Sequence, residues 1–296
     1  MTTSEVVLDV DGLRMRYGPA DVLHDVTFQA RRGEVVCLLG PNGAGKTTTI
    51  EILEGFRTRS AGRVEVLGAD PARGGEDWRA RVGVVLQSWR DHGKWRVREL
   101  LDHLGRYYAA YSTETIARPW PADRLIAAVG LTGQADHKIR TLSGGQRRRF
   151  DVAVGLVGRP ELVFLDEPTA GLDPVARRAF HDLVVDLAAE GDTTILLTTH
   201  DLAEAEKLAG RIMILDGGRI VADGTAAQLA RQIAGQDEVR WTRDGQRFSQ
   251  SAAESTRLVF ELFKQYGEAI ENLEVRRASL EDTYLSLVRQ AEEGVR

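Results

Sequence analysis

Five short apolar runs constrain the fold more than anything else in this chain. They are EVVCLL (34–39), RVGVVL (81–86), ELVFLD (161–166), TTILLTT (193–199) and RIMIL (211–215). Each is strand-length and rich in Val, Ile and Leu, the pattern of a strand covered on both faces. Helical patterns follow some of them: KTTTIEILEG after the first and PVARRAFHDLVVDLAAEG after the third. Buried strands alternating with helices predict an α/β fold with a parallel sheet sandwiched between helices. Ahead of it, VVLDVDGLRMRYG and DVLHDVTFQARRGE read as antiparallel hairpin material.

The character changes between Gln87 and Thr141, where VRELLDHLGRYYAAY and DRLIAAVGL are helical and no strand pattern stands out. This predicts a helical insertion over about residues 88–158. A second change follows GTAAQLARQIAG (224–235). DEVRWTRDGQ, the amphipathic AESTRLVFELFKQYG and the ending ENLEVRRASLEDTYLSLVRQ read as a small separate unit. The expected organisation is a main domain over 1–235 and an accessory unit over 236–296.

Composition narrows the function classes. The net charge of -5 weighs against a protein that coats nucleic acid. No window approaches the roughly 18 apolar residues that span a bilayer, and the N-terminus MTTSEVVLDVDG lacks the basic and apolar regions of a signal peptide. The single cysteine, Cys37, lies inside VVCLLG and reads as a core residue.

The chemistry is concentrated in a few stretches. GPNGAGKT (Gly40–Thr47) fits GxxxxGK[ST], with a strand pattern before it and a helical one after it. That context lets backbone N–H groups converge on phosphate at a helix N-terminus, with Lys46 on the β- and γ-phosphates and the Thr47 hydroxyl on Mg2+. LVFLDE brings Asp166 and Glu167 to the C-terminal edge of a buried strand, where open α/β sheets bind ligands. There Asp166 can hold Mg2+ and Glu167 can polarise an attacking water. TTILLTTH aims His200 at the same crevice, and RVGVVLQ delivers Gln87 there as a neutral ligand for Mg2+ or water. LSGGQ (Leu142–Gln146) is a second anion-binding turn, about a hundred residues from the first. Ser143 can cap a helix beginning near Gly144. A plain helix cap accounts for the serine but not for both glycines.

In order and spacing these motifs resemble those of the ATP-binding subunits of ABC transporters, over roughly residues 5–235. GPNGAGKT matches the Walker A loop, VLQ the Q-loop, LSGGQ the family signature, LVFLDEP Walker B, AGLD the D-loop and TTH the switch histidine. The resemblance implies a P-loop ATPase fold with a mixed sheet, an N-terminal antiparallel β subdomain, a helical insertion and a small C-terminal α+β unit. It implies ATP and Mg2+ bound by Gly40, Asn42, Gly43, Ala44, Gly45, Lys46, Thr47 and Thr48, with Tyr17 stacked on adenine. It further implies a head-to-tail dimer in which Ser143, Gly144, Gly145 and Gln146 close over the partner's ATP while Asp173 couples the two sites. The permease would be a separate multi-span subunit, with this chain peripheral at the cytoplasmic membrane face and no nucleic-acid partner.

The ending ASLEDTYLSLV looks like that of daunorubicin-resistance-type exporter ATPases, which implies drug, antibiotic or lipid-like cargo. The stretch SWRDHGKWRVREL departs from the family where it meets the membrane subunit, so partner specificity does not carry over. The alternative from another class is a soluble ABC-type ATPase acting in regulation or in nucleic-acid or ribosome remodelling. The long heptads or second cassette of such proteins are missing from this sequence.

Overall fold

The computed structural model describes residues 5–85, 92–189, 193–233, 237–252 and 254–276. It forms two compact units, one reaching Val221 and the other starting at Ala222. The division falls one helix ahead of residue 235, where the sequence pattern changes.

In the first unit, β1 (Val6–Tyr17) and β2 (Ala20–Arg31) form the expected antiparallel hairpin. Strand β3 (Val35–Leu39) and helix α1 (Lys46–Leu53) follow. Next comes β4 (Ala61–Val66), which pairs antiparallel with the free edge of β1. The small sheet therefore has the order β2-β1-β4. The sequence reading missed β4 because AGRVEV opens with three exposed residues and carries little apolar pattern.

After a short α2 (Glu76–Arg79) come β5 (Val82–Val85) and the insertion helices α3 (Val97–Tyr108), α4 (Ala122–Ala128) and α5 (Gly144–Leu156). The chain then returns to the sheet as β6 (Leu162–Asp166), α6 (Pro174–Ala189), β7 (Thr194–Thr199), α7 (Leu202–Leu208), β8 (Arg211–Asp216) and β9 (Arg219–Gly224). The large sheet has the order β5-β6-β7-β3-β8-β9. Its pairs from β5 to β8 are all parallel. A link of two residues joins β8 to β9, too short for a parallel crossover, so β9 is antiparallel and the sheet is mixed. All six residues of β7 are buried, as are four of five in β3 and in β6. Cys37 lies wholly inside, and burial pushes its thiol pKa well up.

The second unit contains α8 (Ala226–Ile233), β10 (Asp237–Arg243), β11 (Gln246–Ala252), α9 (Ser255–Tyr266) and β12 (Glu271–Arg276). Its antiparallel sheet has the order β11-β10-β12. Val239, Trp241 and Leu262 form its core, an independent α+β cluster. The ASLEDTYLSLV stretch lies outside the described residues.

At the edge where the strands of the large sheet begin, Glu161 is buried beside three guanidinium groups. Arg81 Nε lies at 2.7 Å, Arg32 Nη2 at 3.1 Å and Arg118 Nη2 at 3.4 Å. Burial by itself would raise the Glu161 pKa; the bonds from Arg81 and Arg32 outweigh it and hold the carboxyl below its ordinary value. Glu161→Ala leaves the buried Arg118 guanidinium without its carboxylate and should cost about 3–5 kcal/mol of unfolding free energy. Because the folded pKa lies below the unfolded one, this contribution is present at neutral pH and is lost on acidification through the folded value. Urea titrations of both proteins should show the full deficit at about pH 7 and a smaller one at about pH 3.

Candidate active site

After β3 the chain must turn over the sheet edge before α1 starts at Lys46. Gly45, at the helix N-cap, has φ 105°, where an L side chain is strained. Gly40 passes so close to β8 that a Cβ would lie 2.2 Å from the Leu215 carbonyl oxygen. The turn thus brings bare backbone to a helix N-terminus, a cradle for an anion. Lys46 is 5% exposed. Its Nζ donates to the carbonyls of Gly40 (2.9 Å) and Pro41 (3.1 Å) and lies 3.2 Å from Glu167 Oε1. These oxygens surround the ammonium much as phosphate oxygens would.

The carboxylates leave the end of β6. Asp166 Oδ2 accepts from the Thr47 hydroxyl at 3.1 Å, and Asp166 Oδ1 accepts from the Thr198 hydroxyl. The Thr198 oxygen in turn accepts from the Glu167 backbone N–H at 3.0 Å, so one buried hydroxyl on β7 fixes both acids. Glu167 has φ 41°, a left-handed conformation uncommon for a non-glycine residue, and the Thr198 bond holds it there. From the α5 side, Arg148 Nε donates to the Pro168 carbonyl at 2.6 Å and Nη2 to that of Asp166 at 3.5 Å.

His200 follows β7, with Nδ1 3.4 Å from Glu167 Oε1. Its neighbours on both sides are tied down. The Thr199 hydroxyl donates to Glu204 Oε2 and accepts from the Asp201 N–H at 3.0 Å. Asp201 caps α7 by accepting from the Glu204 N–H at 3.2 Å, and Arg177 holds its other oxygen at 3.0 Å. Glu204 is 2% exposed, and its Oε1 lies 3.3 Å from Nε2 of the buried His181.

One cleft is lined by Tyr17, Val22, Asn42, Gly43, Gly45, Lys46, Thr47, Thr48 and Glu167. Asp166 joins this set through Thr47, and His200 through Glu167. Ala44 is buried in the turn of the loop. Tyr17 is not a core tyrosine: it ends β1 exposed, with the Arg57 guanidinium 4.9 Å from its ring centroid. The Thr47 hydroxyl and Asp166 carboxylate are hard oxygen donors, the kind Mg2+ takes from protein while keeping its other positions for water and phosphate, so the residues fit that ion. Gln87 lies outside the described residues.

LSGGQ stands apart. Ser143 Oγ accepts from the Gln146 N–H at 3.3 Å, and the Gln146 side chain accepts from the Ser143 N–H at 3.0 Å, a capping box that starts α5. A Cβ on Gly145 would lie 2.6 Å from the Ala176 Cβ on α6, so close packing within the chain accounts for this glycine. A Cβ on Gly144 would meet nothing within 4 Å. Among the described residues, none of Leu142–Gln146 lines the cleft. Asp173 Oδ1 accepts from the N–H groups of Val175 and Ala176, both at 3.0 Å, and so caps α6.

The sequence reading missed the supporting residues Thr198, Arg148, Arg57, Glu204 and His181. Only the TTH and RRRF runs hinted at the first two.

Comparison with known proteins identifies the family. A family model described as ABC transporter matches residues 23–170. The daunorubicin resistance ATP-binding protein DrrA3 of Streptomyces coeruleorubidus is 40% identical over 232 residues, 78% of this chain and 72% of that protein. The Nod factor export ATP-binding protein I of Ralstonia nicotianae is 41% identical over 236 residues, 80% of this chain and 72% of that protein. The doxorubicin resistance ATP-binding protein DrrA of Mycobacterium tuberculosis is 33% identical over an alignment covering 100% of this chain and 97% of that protein. A solved ATP-binding subunit of an ABC transporter superposes with a TM-score of 0.65 at 30% identity, covering 76% of this chain and 92% of that one. With a phosphate cradle, paired carboxylates and a histidine at one sheet edge, and relatives that share most of its length, the chain belongs to the ABC transporter family as one of its ATP-hydrolysing subunits.

Proposed function

We propose that the chain powers export through a separate multi-span membrane subunit, with two copies closing head to tail around two ATP molecules. The relatives named for daunorubicin and doxorubicin resistance and for Nod factor export support the outward direction and a drug-like or lipid-like cargo. Among the described residues, no helix is long and apolar enough to cross a membrane, in keeping with a peripheral subunit on the cytoplasmic face.

The observation that carries the chemistry is the Glu167 carboxylate, held 3.2 Å from Lys46 Nζ and 3.4 Å from His200 Nδ1. In this reading the phosphates of ATP displace Glu167 from Lys46. Lys46 and the amides of Gly43–Thr47 then carry phosphate charge, and adenine stacks on Tyr17. Mg2+, held by Thr47 and Asp166 with Gln87, would neutralise further charge on the phosphate oxygens. Released from Lys46, Glu167 orients a water and takes its proton as the water attacks the γ-phosphorus. The bond from γ-phosphorus to the ADP oxygen breaks, giving ADP and phosphate. His200 meets the γ-phosphate from the other side. Catalysis is positioning plus electrostatics. Ser143 and the open Gly144 amide close over the partner's ATP, and Asp173 couples the two sites.

Glu167→Gln should retain ATP binding, lower phosphate release about a hundredfold or more, and accumulate an ATP-bound dimer on gel filtration. Turnover close to wild type would remove Glu167 from this role. Gly144→Asp adds a side chain with open space around it, so the monomer should still bind ATP while hydrolysis falls at least about tenfold through repulsion of the partner's phosphate. Loss of monomer binding would count against a cross-dimer role. Glu204→Ala frees Thr199 and misplaces His200, so kcat should fall up to about a hundredfold with little change in KM. Steady-state kinetics with an equal rise in KM would point instead to damage in the nucleotide pocket.

A further inference from the structure

Asp166 and Thr198 are register partners where β6 and β7 end side by side, with Leu38 of β3 on the other side of Thr198. Thr198 has no exposed surface, and its strand neighbours Ile195, Leu196 and Leu197 are buried and apolar. A valine would fill this place with nearly the same shape. What a valine lacks is the hydroxyl, and both of its bonds go to the acid pair. It donates to Asp166 Oδ1 and accepts from the Glu167 N–H at 3.0 Å.

The two bonds do different work. The first takes up one oxygen of Asp166. The other oxygen, Oδ2, accepts from the hydroxyl of Thr47, a residue of the nucleotide cleft, at 3.1 Å. The carboxylate is thus held by a threonine at each oxygen, with Oδ2 on the cleft side. The second bond holds a backbone that is otherwise disfavoured, because Glu167 has φ 41°. The Glu167 carbonyl is held as well, by the Ala170 N–H at 3.1 Å. Its side chain is held by charge instead, 3.2 Å from Lys46 Nζ and 3.4 Å from His200 Nδ1. The root of Glu167 is fixed by hydrogen bonds, while its head sits on partners that an incoming phosphate would also seek.

We propose that Thr198 is a positioning residue for ATP hydrolysis. It pins the Glu167 backbone, so that the carboxylate exchanges Lys46 for the attacking water without losing its aim. It also keeps Asp166 Oδ2 turned to the cleft that takes the nucleotide and its Mg2+. This inference rests on the role given to Glu167 above.

The test compares Thr198→Val, which removes the hydroxyl and keeps the shape, with Thr198→Ser, which keeps the hydroxyl and removes a methyl. In the full-length protein Thr198→Val should lower kcat about tenfold or more, with little change in KM for ATP. Calorimetric titration of Mg2+ into the ADP complex should show the ion bound about tenfold more weakly. ADP affinity without Mg2+ should stay at the wild-type value, which shows that the variant folds. Thr198→Ser should restore most of both losses. Added to Glu167→Gln at saturating ATP and Mg2+, Thr198→Val should lower turnover less than about twofold further, because the residue it aims is already disabled. Wild-type kcat and Mg2+ affinity in Thr198→Val, a serine variant as impaired as the valine one, or a second full loss on top of Glu167→Gln would overturn the proposal. Should Thr198→Val fail to bind ADP, Thr198→Ala against Thr198→Ser isolates the hydroxyl, and equal behaviour of that pair would overturn it too. Failure of the underlying reading looks different: Glu167→Gln then turns over like wild type, whereas an inactive Glu167→Gln beside a fully active Thr198→Val removes the role of Thr198 alone.

Discussion

The burial of β3, β6 and β7 on both faces is the constraint from which the rest of the first unit follows. A strand covered on both sides can offer polar chemistry only at its ends. Because these strands are parallel, their C-terminal ends share one edge. That edge receives the glycine turn after β3, the acids that end β6 and the histidine that follows β7, so Thr47 meets Asp166 across 119 positions of sequence. The other edge collects residues that precede strands, and there Glu161 and its arginines hold the strand starts together.

Around the edge where the strands end, buried polar side chains work as spacers. The Thr198 hydroxyl sets the relative position of Asp166 and Glu167. The bonds of Thr199 to Glu204 and Asp201 do the same for His200. Arg148 pins the backbone that leaves β6. In a low-dielectric setting a hydrogen-bonded network of this kind is stiff, because displacing a bonded group leaves it buried and unpaired. LSGGQ has the opposite design: its serine and glutamine satisfy each other, Gly145 is used up in packing, and Gly144 is left open.

How legible each part was depended on how local its cause was. Strands β3, β5, β6, β7 and β8 stood out because burial on both faces demands unbroken apolar runs. Strand β4 did not, because its first half is exposed, and β9, with its burial alternating between half-buried and exposed, carries no such run either. The glycine turn was legible because its spacing is dictated by backbone geometry within eight residues. Arg57 over Tyr17 left no trace in the pattern, since a half-buried arginine in a loop reads in sequence like any solvated one. His181 on α6 looked like an ordinary helix residue until Glu204, 23 positions later, was placed beside it.

The sequence by itself determined the buried strands of the large sheet, which residue types reach its edge, and the family they belong to. Those outcomes rest on periodicity, turn chemistry and short motifs, all local. Only the tertiary structure decided why Gly145 must be small, which hydroxyl aligns the two acids, what seats His200, and that the strand-start edge gathers arginines around Glu161. These depend on distances between residues far apart in the chain, and distance is settled by packing rather than by spacing along the sequence.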